Sequence, residues 1–236
     1  MNVKKTYVKI FYICLLNIRR KGKMRVKRKI LLILSAIILV EGCYSHAVRV
    51  DGAEKEYKKE YKNIVNESYK ENQECTYSLI YISKDEIPEL VVCDADHYNI
   101  SLYTYKNGKV YTLMENWNYG VGGTVIYEYL PKKNVIRIQG SDLAATWTES
   151  YFKIKKMELV EKRSLTTYQF KDKNHNGVMD RDEENTYSNK PVEYYKDGKK
   201  ISKKEYEKLL IKGNYKNVIG QKTYQQILKQ LKSNSK

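Results

Sequence analysis

Residues 172–183 read DKNHNGVMDRDE and place oxygen-bearing side chains at the first, third, fifth, ninth and twelfth positions of the stretch. Asp172, Asn174, Asn176, Asp180 and Glu183 are all hard donors, and Gly177 stands at the sixth position, where a chain wrapping an ion has to bend sharply. Alternate residues of such a curl point inward, so the spacing suits an oxygen shell around a hard cation, completed by the Val178 carbonyl at the seventh position. A solvated Asp/Asn/Gly turn between two strands accounts for the same composition without any ion.

The twelve residues resemble the EF-hand calcium loop at every position that family constrains. The resemblance implies calcium as the ion, Asp172, Asn174, Asn176, the Val178 carbonyl, Asp180 and Glu183 as its ligands, and Met179 packed toward the core. The flanks depart from the family. SLTTYQF (164–170) before the loop suits a strand, ENTYSNK (184–190) after it has no apolar stripe, and no second loop exists to pair with it. The ligand roles therefore carry over while the helix–loop–helix fold does not. Only three of the side-chain ligands are anionic, and Lys173, His175 and Arg181 lie between them. Fewer charges mean weaker binding, so the expected affinity is the extracellular range of about 10⁻⁴–10⁻³ M, with a structural role.

Other chemistry is thin. The turn SKDEIPEL (83–90) resembles the strand-capping calcium turns of secreted β-repeat proteins at Asp85, Pro88, Glu89 and Leu90. Ser83 and Glu86 replace two residues that such a turn requires, and no ion is expected there. The three histidines, His46, His97 and His175, show no zinc or catalytic spacing. Asp94, Asp96 and His97 read as a polar hairpin loop, and Ser141-Asp142 lacks the G-x-S-x-G setting of a nucleophile elbow. The sequence reads as non-enzymatic.

The formal charge of +16 invites a nucleic-acid partner, but its placement argues against one. Residues 1–42 hold 11 Lys/Arg and one acid, leaving 33 against 27 in the remainder, a net of only +6. The basic segment reads as a targeting leader over 1–43. MRVKRK (24–29) is a cationic n-region, with Met24 the better start, and ILLILSAIILV (30–40) is an apolar h-region too short to span a bilayer comfortably. Val40–Cys43 resembles the end of a bacterial lipobox, with Glu41 departing from its small-residue pattern. The resemblance implies lipidation of Cys43 and anchorage on the outer face of the cytoplasmic membrane. An ordinary cleaved signal and secretion, or a retained membrane anchor, are the alternatives. Export permits a disulfide between Cys75 and Cys93, worth about 3 kcal/mol for a loop of this size. Two small buried thiols fit the sequence equally.

The elements that must position these residues follow from periodicity. After a spacer from residue 44, Tyr57, Tyr61, Ile64, Val65 and Tyr69 recur at helical spacing and predict an amphipathic helix before residue 76. From 76 to 170, short Tyr/Val/Ile-rich runs separated by turn residues predict an antiparallel meander. Asn107-Gly108 is a two-residue hairpin signal within it. In 171–236, PVEYY and KKIS flank Asp197-Gly198 as a further hairpin. Ser202–Glu205 forms a capping box, and Thr223 opens a last helix. The expected class is α+β: a Tyr-rich antiparallel meander with one N-terminal and two C-terminal helices. The whole resembles small surface lipoproteins of Gram-positive bacteria. An alternative role is a calcium-independent module that binds cell-wall glycans or peptides on a Tyr-rich sheet face.

Overall fold

The computed structural model describes residues 56–119, 125–142 and 145–233. The leader over 1–43, with the lipidation candidate Cys43, lies outside the described residues. Residues 56–71 form helix α1, whose Tyr57, Tyr61 and Val65 recur every four residues and are buried, while Lys59, Lys62 and Asn63 stay exposed. Burying each such side chain stabilises the fold by about 1.5–3 kcal/mol.

The expected meander divides into two antiparallel sheets. The first contains β1 (Thr76–Ile80), β2 (Glu89–Asp94), β3 (Asn99–Lys106) and β4 (Lys109–Asn118) in chain order. The second begins with β5 (Val125–Leu130), β6 (Val135–Asp142), β7 (Thr146–Lys155) and β8 (Glu158–Tyr168). Beyond β8 it adds β9 (Glu193–Lys196) and β10 (Lys199–Ile201), and beyond β5 the short β11 (Lys216–Asn217). Asn107-Gly108 and Asp197-Gly198 make the tight turns expected of them, with φ of 50° and 81°, and 49° and 76°.

Two short helices complete the chain. Ser202 caps α2 (Lys203–Leu209) by accepting the Glu205 N–H, and Thr223 with Gln226 forms a full capping box on α3 (Tyr224–Lys232). The α+β class, with one N-terminal and two C-terminal helices, is the one the periodicity predicts.

Strand alternation sorts the core into layers. Leu90, Val92, Tyr77 and Tyr105 face α1 and α3, joining Tyr61, Val65, Ile227 and Leu231. Val91, Cys93, Ile100 and Leu102 face the second sheet and meet Tyr127, Tyr129 and Ile136. On that sheet's far side, Leu130, Val135, Tyr151 and Leu165 pack with Tyr206 of α2.

Among the described residues, two backbone joints tie the sheets together. At one, Lys132 and Asn134 donate their N–H groups to the carbonyls of Tyr81 and Ile82 at 2.9 and 2.8 Å. The Asn134 side chain also bonds both backbone groups of Ile154. At the other, residues 216–222 run from β5 to β1, where Tyr77 and Lys222 exchange backbone hydrogen bonds.

The same alternation separates the two cysteines. Thr76, not Cys75, pairs with Cys93. The one-residue offset turns Cys75 toward the helices and Cys93 toward the second sheet. Both are buried free thiols, so the candidate disulfide is not formed, and Cys93 Sγ accepts the Gly220 N–H instead. Burial pushes both thiols up to about 11, which suppresses the reactive thiolate. A chain beginning at Tyr44 should therefore take two alkylating labels when unfolded without reductant and resist them when folded. Recovery of no free thiol in the unfolded chain would establish the disulfide.

Candidate metal centre

The loop of residues 172–183 lies in the connection between β8 and β9, which are neighbours in the second sheet. Tyr168 pairs with Glu193 across the base of this connection. Phe170 is fully buried there, with its ring stacked 5.3 Å from Tyr168, and the Tyr168 ring in turn lies 4.7 Å from Tyr195. The exit is a single 3-10 turn, Glu184–Thr186, and the Thr186 hydroxyl both accepts the Lys171 N–H and donates to the Glu183 carbonyl. A strand enters the loop, as the flanking sequence predicts, and a 3-10 turn leaves it.

Inside the loop, the first and last acids turn inward. Asp172 is 4 % exposed and Glu183 is 0 % exposed. Asp172 accepts the backbone N–H groups of Asn176 and Gly177 at 3.1 and 3.0 Å. Glu183 accepts those of Lys173 and Asp180 at 2.5 and 3.1 Å. Asp180 gathers the side-chain amides of Asn174 and Asn176 at 2.5 and 2.9 Å. Each Asn carbonyl oxygen accepts a backbone N–H two residues on: Asn174 Oδ1 accepts from Asn176, and Asn176 Oδ1 accepts from Val178. Among the described residues neither Asp172 nor Glu183 has a basic side chain at ion-pair distance, since Lys173 reaches Asp182 instead.

Thus Asp172, Asn174, Asn176, Asp180 and Glu183 all converge within one curl. Val178, whose carbonyl is the sixth candidate ligand, has an exposed side chain, and Met179 is only half-buried. Among the described residues no group of three or more His, Cys, Asp or Glu side chains stands at metal-holding distances. The three candidate ligand acids are directed to N–H donors, Asp172 and Glu183 to backbone amides and Asp180 to the paired asparagines.

Glu193 lies beneath the start of the loop, a placement that the sequence does not signal. Its carboxylate accepts the Tyr195 hydroxyl at 2.7 Å and a short contact from Lys200 Nζ, and it faces the backbone of Asp172. Burial pushes its pKa upward, but these hydrogen bonds outweigh burial and hold the carboxyl below its ordinary value. Only the β8–β9 register brings Glu193 under Asp172.

The other sequence candidates lie apart from the loop. Asp94 accepts from His97 Nδ1 at 2.7 Å, and Asn72 bridges Asp94 and Asp96, forming an exposed polar cluster at the β2–β3 turn. Hydrogen bonding to Asp94 raises the His97 pKa. The strand tyrosines Tyr105, Tyr127 and Tyr129 are buried, whereas the well-exposed ones, Tyr81, Tyr98 and Tyr187, stand in turns and loops. No protein family, curated protein or solved structure matches the chain. Among the described residues no helix is long and apolar enough to cross a membrane.

Gly177 is the loop's steric pivot. Its φ is +78°, and a Cβ there would stand 3.1 Å from the Tyr168 hydroxyl. Gly198 has the similar φ of +76° and open space around it. Gly198→Ala should cost about 1 kcal/mol of backbone strain in urea denaturation. Gly177→Ala should cost more, because Tyr168 has to shift as well. Equal losses would mean that the Tyr168 contact carries no weight.

Proposed function

We propose that the chain is an exported, lipid-anchored cell-surface protein whose loop over 172–183 binds one calcium ion, weakly and for structure. The observation that carries the calcium reading is the inward burial of Asp172 and Glu183, at opposite ends of the loop, with no basic partner among the described residues. Withdrawing carboxylates from water is costly unless counter-charge is supplied, and backbone amides supply only partial charge. A divalent cation among Asp172, Asn174, Asn176, the Val178 carbonyl, Asp180 and Glu183 supplies it in full. It also takes over from the two asparagine amides as the partner of Asp180.

The role follows from position. The loop closes a connection between adjacent strands whose ends are paired at Tyr168 and Glu193, so ion binding stiffens this part of the sheet. The export reading rests on the leader, from the MRVKRK n-region to Gly42-Cys43, with Cys43 as the membrane link. Cell-wall glycan or peptide binding on a Tyr-rich sheet face has less support, because Tyr105, Tyr127 and Tyr129 are core residues.

The calcium reading is tested by melting the protein from Tyr44 onward in rising calcium. At 5 mM, about ten times a dissociation constant of ~0.5 mM, binding should add about 1.4 kcal/mol. That corresponds to a rise in Tm of about 3–6 °C for a domain of this size. An Asp172→Ala/Glu183→Ala double variant should not respond. No shift in the parent, or an equal shift in the variant, removes the loop as a site. For the anchor, Cys43→Ser in a Gram-positive host should move the protein out of the membrane fraction. Retention there would exclude lipidation as the link.

A further inference from the structure

Glu89 opens β2 and is 1 % exposed, the most deeply buried acid among the described residues outside the loop. Its Oε2 accepts the Ile82 N–H at 2.9 Å. Among the described residues no basic side chain pairs with it, because Lys106 reaches Asp85 instead. The groups facing Glu89 are Ser83 and Asp85 from its own turn, Tyr61 from α1 and Tyr129 from β5. They amount to one like charge and three neutral hydroxyls. An ionised carboxylate there has exchanged its water for the Ile82 N–H and a repelling neighbour, Asp85.

Its one backbone partner sits at the joint between the sheets. The Ile82 N–H goes to Glu89, and the Ile82 carbonyl accepts the Asn134 N–H. The adjoining Tyr81 carbonyl accepts from Lys132, and the Tyr81 ring lies under the Lys132 ammonium at 5.4 Å. We propose that Glu89 makes this joint pH-responsive. As a neutral acid it seats residues 81–82 on the turn at Lys132–Asn134. As a carboxylate it draws water inward and loosens that contact.

The direction of the effect follows from proton linkage. Burial, then repulsion from Asp85, raise the Glu89 pKa against the opposing Ile82 hydrogen bond, from 4.5 to about 7. Between those values the folded chain keeps a proton that the unfolded chain has released. Stability is therefore full below 4.5, falls as pH rises through this window, and is level above about 7.

The test is a ¹³C titration of the Glu89 carboxyl together with amide exchange at Ile82 and Asn134 between pH 5.5 and 8. The intrinsic effect of pH on exchange is divided out. A midpoint near neutrality and a loss of protection of about tenfold or more at both amides are expected. Glu89→Gln should keep its protection across the range. A Glu89 midpoint near 4.5, or the same loss in Glu89→Gln, overturns the proposal. If that variant does not fold, the parent decides alone. A neutral midpoint accompanied by loss of Ile82 protection supports the proposal, and either one without the other sinks it.

Discussion

Much of the core is made of tyrosine, and every hydroxyl carried into it has to find an acceptor. An unmade hydrogen bond in that setting costs about 1–3 kcal/mol, more than the same bond gains when formed. The requirement dictates which elements can meet. Tyr61 reaches from α1 to the Pro88 carbonyl, Tyr105 from β3 to Glu56 on α1, and Tyr127 from β5 to the Asn118 carbonyl on β4. Tyr151 and Tyr195 donate to Glu149 and Glu193, which brings two acids into the interior of the second sheet. Among the described residues the one buried side-chain polar atom without a partner is Gln169 Oε1.

Those acids then need balance of their own, and the protein supplies it in different ways. Glu149 lies beside Arg137, which bonds Glu128 and stacks on Tyr215 at 3.8 Å. Glu193 takes Lys200. Glu89 takes only an amide, and Asp172 and Glu183 take amides from within their own loop. The acids with least counter-charge thus stand at two connections, Glu89 where the β1–β2 turn meets the strand and Asp172 and Glu183 in the loop between β8 and β9.

Local features were legible because they depend on a few adjacent residues. The spacing of Tyr57, Tyr61 and Val65 gave away α1, Asn-Gly and Asp-Gly marked two hairpins, and Ser202 and Thr223 marked two helix starts. The candidate ligands of 172–183 are legible for the same reason. What stayed hidden depends on pairing parity between distant strands. One residue of register decides whether Cys75 and Cys93 share a face. The β8–β9 register decides that Glu193 underlies Asp172. The division of one meander into two stacked sheets has no marker at any single residue. It follows from β2 needing cover on both faces, since Leu90, Val91, Val92 and Cys93 are all buried.

The pairing of Tyr168 with Glu193 has an evolutionary corollary. The two ends of the connection are held one strand spacing apart, about 5 Å, whether or not anything lies between them. The segment between them can therefore change in length without re-registering a single strand, as long as the burial of Phe170, Asp172 and Glu183 is kept.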